Sequence, residues 1–239
     1  MKTRTYKNLL AFMAIVLLAG TVKSQGPYYY GLFKVRKIMT QYDSLLRFLN
    51  YLPYATLYED SVDYERSWEA RNLADVYYNH KSLNFSPDIN MYLDTNERVT
   101  NPETVWEIVN AHSVADFTVT ADSAFPFIAN VNVLPEQFNK SEDYRLVLQG
   151  IENADEVEIN MFDGQFRLVL PYCKKIPVGD PGTPVEIRIT AEEMESLDDG
   201  GQGLDVMLSL VKYDYQVIDG RRYKFEKRFD ILKRMPMIN

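Results

Sequence analysis

The stretch EVEINMFDGQFRLVL, Glu156 to Leu170, decides the reading of the fold. Val157, Ile159 and Met161 alternate with Glu156, Glu158 and Asn160, Asp163-Gly164 interrupts the run, and Phe166, Leu168 and Leu170 resume it. A spacing of two sends successive side chains to opposite sides of an extended chain. Asp-Gly between two such runs predicts a hairpin, because a two-residue type I′ turn needs positive φ at both central positions.

The same signals recur downstream and just upstream. Asp219-Gly220 separates Tyr215 and Val217 from Tyr223 and Phe225. Phe117, Val119 and Ala121 alternate with polar residues, and further strands are predicted at Ile128–Leu134, Tyr144–Leu148, Val185–Ile189, Leu204–Tyr213 and Phe229–Leu232. About eight short strands with turns between them predict an antiparallel β-sandwich of immunoglobulin-like architecture over residues 116–239. The Cys…Trp…Cys pattern of true immunoglobulin domains is absent, since Cys173 stands alone and both tryptophans, Trp68 and Trp106, lie upstream.

Before residue 116 the period changes. Leu32, Val35, Met39, Tyr42, Leu46 and Leu49 recur at steps of three and four, which predicts an amphipathic helix bounded by Pro53. A second helix is predicted from about Asp60 to His80, with Val62, Trp68, Leu73, Val76 and Tyr77 inward. Thr100 with Glu103, or Asn101 with Pro102, starts a third, whose buried side is Val105, Trp106, Ile108 and Val109. Phe85–Arg98 reads as a loop with room for one short strand. The predicted class is therefore α+β, a tyrosine-rich helical region over 25–115 followed by the sandwich.

Residues 1–24 read as an export signal. Lys2, Arg4 and Lys7 precede an apolar run from Leu9 to Val22, and Val22-Lys23-Ser24 suits cleavage before Gln25. The alternative is an uncleaved membrane anchor. The expected location is exported: periplasmic, cell surface or secreted. Removing Lys2, Arg4, Lys7 and Lys23 takes the formal charge from −8 to −12, which argues against nucleic acid and anionic membranes as partners.

With 46% hydrophobic and 25% charged residues the composition is that of a globular chain, and one cysteine excludes an internal disulfide framework. The Cys173 thiol reads as a small buried group. His80 and His112 lack zinc-ligand spacing, no serine-elbow or phosphate-loop motif occurs, and no cofactor is expected. Asp198–Asp205 is a Gly-rich acidic loop of the kind that can hold calcium, although its spacing is not that of an EF-hand. Glu156 and Glu158 share one strand face and read as solvated, as do the basic residues Arg221, Arg222, Lys224, Lys227 and Arg228 interleaved with Tyr223, Phe225 and Phe229. The residues singled out for partner binding are Tyr28, Tyr29 and Tyr30, since tyrosine offers a rigid apolar face with one polar tip. The expected function is that of an exported, non-catalytic binding or scaffolding protein contacting another protein. A carbohydrate-binding module, or a carboxylate-dependent enzyme acting on extracellular glycans, is the alternative.

Overall fold

A computed structural model describes residues 28–42, 45–94, 104–112, 115–121, 124–129, 134–162, 168–195 and 203–238. Strands make up 66% of it and helix 4%. In chain order the strands are β1 (Tyr29–Tyr42), β2 (Leu45–Val62), β3 (Asp75–Tyr78), β4 (Lys81–Ser86), β5 (Met91–Leu93), β6 (Thr104–Val109), β7 (Phe117–Ala121), β8 (Phe127–Ile128) and β9 (Phe138–Asn139). They continue with β10 (Tyr144–Leu148), β11 (Ile151–Glu152), β12 (Glu156–Phe162), β13 (Leu168–Pro177), β14 (Val185–Ile189), β15 (Leu204–Ile218), β16 (Arg221–Met235) and β17 (Met237–Ile238). Ser67–Glu69 forms one 3-10 turn, and Ala191–Glu195 forms a single helical turn, α1.

Eleven strands join one sheet in the order β13-β12-β15-β16-β1-β2-β5-β4-β3-β6-β7. The expected α+β division does not hold. β1 lies parallel to β16 and antiparallel to β2, so residues from both ends of the chain share one mixed ladder rather than forming a helical region beside an antiparallel sandwich. The helix predicted from Leu32 to Leu49 is the β1–β2 hairpin. Its three-and-four spacing came from sampling two strand faces that are both partly buried, Phe33 and Val35 on one and Leu32 and Lys34 on the other. Pro53 does not end an element but sits within β2, pairing with Val35 next to the short stretch where β5 joins the other side. The second predicted helix is the end of β2, a loop and β3, and the third is β6, where Thr104, Trp106 and Ile108 are buried while Val105, Glu107 and Val109 are half-buried. Thr100–Glu103 lie outside the described residues.

Downstream, β7, β10 and β14 have the predicted bounds. Asp219 and Gly220 both take positive φ, at 49° and 73°, and join Ile218 to Arg221 as a two-residue turn requires. β12 and β13 pair as a hairpin, but the register sets Phe162 against Leu168, whereas an Asp163-Gly164 turn would set it against Gln165. Asp163 and Gly164 themselves lie outside the described residues. So do the predicted signal segment, Asp198–Gln202 of the acidic loop, and the side chain of Cys173.

The sheet folds back on itself. Four strands separate β1 from β6, and at about 4.8 Å per strand a flat sheet would hold them more than about 20 Å apart. The ring centroids of Phe33 and Trp106 are instead 5.2 Å apart, and Phe117 of β7 reaches Tyr223 of β16 at 4.9 Å. Inside this curl Phe33, Val35, Tyr78, Trp106, Ile108, Tyr223 and Phe225 form one core. A second core, with Val157, Ile159, Leu208, Leu210, Phe229 and Ile231, lies further along the same face beneath the β10–β14 ribbon and Met194 of α1. β16, with 15 residues, is long enough to serve both.

Candidate functional site

Three places collect unusual side chains: one end of the sheet, its charged face, and the gap between the two cores.

At the end where β1 begins, the tyrosine run divides. Tyr28 is 48% exposed, Tyr29 is buried edge-on to Tyr58, and Tyr30 is half-buried with the Arg221 guanidinium 5.1 Å from its ring centre. Burial pushes the Tyr29 hydroxyl well above its ordinary pKa. Tyr29 pairs with Val62 in the ladder, which brings the start of β1 alongside the loop that follows β2. That loop carries Tyr64, 53% exposed, and Trp68, 62% exposed. The second predicted helix placed Trp68 inward; on the 3-10 turn it points out.

The loop is tied down. The Arg66 N–H donates to the Tyr58 hydroxyl oxygen at 3.2 Å, the Arg71 N–H donates to the Leu57 carbonyl at 2.9 Å, and the Lys34 ammonium meets Glu65 at 3.0 Å. Arg66 also pairs with Asp63 and Glu69 while its guanidinium covers the Tyr64 ring at 4.3 Å. Tyr28, Tyr64 and Trp68 thus stand exposed on segments that the Tyr29–Val62 pairing brings to the same end of the sheet. Of the three tyrosines singled out from sequence, Tyr28 is exposed and Tyr29 is buried. Trp68 was missed because helical spacing assigned it to the interior.

The second place lies in the middle of the opposite sheet face. Glu226 accepts from Arg228 at 3.0 Å and meets Lys34 and Lys224, each at 3.2 Å. Arg228 also binds Glu158, which Lys175 approaches at 2.7 Å, and Arg36 donates to Asp230 at 2.6 Å. Lys34, Glu158, Glu226, Arg228 and Asp230 are all buried. Glu158 is therefore not solvated as the sequence suggested. Burial alone would raise its pKa, but Arg228 and Lys175 override that and hold it at about 2. Glu226 is likewise held far below the ordinary carboxylate range by Lys34, Arg228 and Lys224 against the cost of its burial. Glu156 accepts a 2.7 Å hydrogen bond from the Tyr213 hydroxyl. Groups fixed in their charged forms this firmly are suited to holding strands together rather than to exchanging protons near neutral pH.

The third place is a cavity of about 390 Å³ between the two cores. Phe33, Val35 and Phe225 line it from the sheet, Thr104, Trp106 and Ala121 from the folded-back strands, and Lys212 and Lys227 from β15 and β16. It opens partly to solvent, and Asp214 and Glu226 stand in its lining beside the two lysines. Lys227 was taken with the wet basic residues, yet it shares the parity of Phe225 and Phe229 and is buried. The signal was present as a lysine standing in an apolar row.

Two of the remaining candidates meet local partners. Asp205 accepts both donors of Arg234, at 2.9 and 2.6 Å. His80, on the β3–β4 turn, pairs with Glu107. Among the described residues no three His, Cys, Asp or Glu side chains cluster as a metal site would require, and no helix is long and apolar enough to cross a membrane. Comparison with protein-family models, curated proteins and solved structures finds no match to this chain.

Proposed function

We propose that this protein is an exported, non-catalytic binding protein that holds a protein partner against the aromatic end of its central sheet. The observation that carries the reading is Trp68, 62% exposed on a loop pinned by Tyr58, Leu57 and Lys34. A ring carried on a backbone that is already fixed has less order to gain on binding, and Trp and Tyr are effective anchors at protein interfaces. Tyr28 and Tyr64 extend the apolar area around the same end. Export rests on the basic, apolar and small-residue pattern of residues 2–24.

Two contrasts favour protein over glycan or substrate. A sugar-binding platform needs open ring faces, and Arg66 already covers one face of Tyr64 at 4.3 Å. A hydrolytic carboxylate pair needs one member raised toward neutrality. Every carboxylate with a resolved shift among the described residues, namely Asp143, Glu158, Glu186, Glu193 and Glu226, moves down instead.

The test is a variant carrying Tyr28→Ser, Tyr64→Ser and Trp68→Ser, expressed with its native N-terminus and recovered from the exported fraction. It should melt like the wild type and fail to retain the proteins that the wild type retains from its own envelope or medium. Recovery of the same partners at the same yield overturns the docking site. A product that still begins at Met1 and needs detergent for extraction overturns cleavage after Ser24.

A further inference from the structure

The curl of the sheet does not close. β7 ends the strand order on one side. On the other, β12 accompanies β15 only as far as Val211, and the rest of β15 is paired on its β16 side alone. Ala121 of β7 and Lys212, Tyr213 and Asp214 of β15 border the same opening, the cavity between the cores, yet no ladder joins β7 to β15.

The hydrogen bonds show which backbone groups face this seam. The Asn79 N–H donates to the Val105 carbonyl at 2.8 Å, and the Val105 N–H donates to the Asn79 side-chain oxygen at 2.9 Å, so Val105 is turned toward β3. Its neighbours Thr104, Trp106 and Ile108 are therefore turned toward β7, where they meet Ala121, Val119 and Phe117. Thr118 and Thr120 then direct their N–H and C=O groups outward. On β15 the Asp155 N–H donates to the Val211 carbonyl at 2.8 Å, and the Tyr213 N–H donates to the Asp155 carboxylate at 2.7 Å, both on the side where β12 runs. The same parity turns the backbones of Tyr215 and Val217 away from β16, beyond the end of β12.

The seam thus presents backbone groups in want of partners, whereas its charges are matched. Lys212 and Lys227 stand beside Asp214 and Glu226, and Asp155 holds Lys212 at 2.7 Å. Behind the opening lies a wall of Phe33, Phe225 and Trp106, with ring centres 5.0 and 5.2 Å apart. An extended peptide meets both conditions, since its backbone bonds on two sides and every second side chain points inward. The two ends of the strand order also differ in protection. β13 carries Pro171, Lys174, Lys175 and Pro177, residues that discourage edge pairing, while β7 and residues 213–218 of β15 carry neither proline nor lysine.

We infer that the seam between β7 and β15 receives an extended segment of a partner protein, which adds a strand there and sets its alternate apolar side chains against Phe33, Trp106 and Phe225. The seam is separate from the loop that carries Trp68, and the inference does not rest on that site.

The probe is a seven-residue peptide of alternating threonine and valine, with the same peptide N-methylated at every second amide as its control. Amide hydrogen exchange, resolved by residue, reads the outcome. In the free protein the amides of Thr118, Thr120, Tyr215 and Val217 should exchange about tenfold or more faster than those of Val119 and Gln216, which bond within the ladders. The plain peptide should slow those four amides about tenfold or more, and the methylated one should leave them fast. Protection of the four in the free protein shows a seam already closed and overturns the inference, as does a plain peptide that leaves them fast. Thr120→Pro removes one outward N–H and no bond to β6, so it should weaken the plain peptide about tenfold. Should that variant fail to fold, Val217→Pro, at a position 71% exposed, makes the same test on the opposite edge. Equal binding by the wild type and the folded proline variant overturns the added strand. The variant carrying Tyr28→Ser, Tyr64→Ser and Trp68→Ser should bind the peptide as the wild type does; loss of the peptide there assigns the contact to the aromatic end and overturns the seam.

Discussion

The two rows of β16 make the most instructive comparison in the molecule, because opposite chemistries reach the same degree of burial on the two faces of one strand. Toward the cores stand Tyr223, Phe225, Phe229 and Ile231, packed against other apolar groups. On the reverse stand Glu226, Arg228 and Asp230, which are buried as well. The first row is favoured by removing hydrocarbon from water, which needs no particular partner. The second must find a counter-charge for every member, because an uncompensated ion in such a place costs several kcal/mol. Apolar burial tolerates approximate neighbours and ionic burial does not. The register that sets Lys34 beside Glu226 and brings Arg36 to Asp230 is therefore part of what fixes β1 against β16.

The severest way to break this balance is to remove the central cation. Arg228→Met leaves Glu158 and Glu226 without their shared partner and should cost about 3–5 kcal/mol by denaturant unfolding. Adding Glu226→Leu to that variant should cost less than the sum of the two single losses, a non-additivity expected of groups in one network. If Arg228→Met costs less than about 1 kcal/mol, the charged row is not what holds the face together.

Acid should act on the same row more gradually. Glu158 is held at about 2 against an ordinary value of 4.5. Its contribution is complete above about pH 4.5 and disappears as the pH falls through about 2, a loss of about 3 kcal/mol for that group. Glu226, depressed in the same direction, steepens the fall over the same window. Urea midpoints between pH 2 and 6 read the slope, and Glu158→Gln should flatten it. A midpoint unchanged from pH 5 to pH 2.5 would contradict the ion pairing.

The contrast between the rows also explains what could be read from the sequence. Where one face is apolar and the other open, alternation is plain, and β7, β10, β14 and the Asp219-Gly220 turn were legible to the residue. In β1 both faces are buried, one by Phe33 and Val35 and the other by Leu32 and the ion-paired Lys34, so alternation vanished and a helical stripe could be drawn through it. Lys227 and Trp68 failed in mirror fashion. The lysine was taken as wet because of its charge, although its parity pointed inward, and the tryptophan was taken as buried because a helical stripe was drawn through it, although nothing local fixed its direction. No local pattern could announce the parallel pairing of β1 with β16, which joins residues nearly 200 positions apart, as in Gly31 with Tyr223.

Smaller effects sharpen the picture at the ends of the strands. At Gly220, with φ near 73°, an added Cβ meets nothing within 4 Å, so Gly220→Val should cost only the backbone penalty, about 1–2 kcal/mol. Gly203→Ala should cost more than Gly220→Ala, because its Cβ would come within 2.7 Å of the Met235 carbonyl oxygen as well as requiring a φ of 81°. Equal melting temperatures for the two alanine variants would show that the approach of Gly203 to Met235 is not tight.

The smallest expected change in stability belongs to Trp68. An exposed ring that leaves water only on binding contributes to association and little to folding, so Trp68→Ser should shift stability by less than about 0.5 kcal/mol. Trp106→Ser is the matched comparison within the same chain. That ring is buried between Phe33 and Tyr78, with centres 5.2 and 4.9 Å away, and its loss should cost about 3–5 kcal/mol. If the two substitutions destabilise equally, Trp68 is a packing residue and the aromatic end is a strap over Tyr29 and Tyr58 rather than a docking surface. If Trp68→Ser leaves the melt untouched while partner retention falls, the ring is held in place for something outside the molecule. The Arg66 and Arg71 bonds that fix its loop then serve recognition, since nothing in the fold needs that ring kept in position.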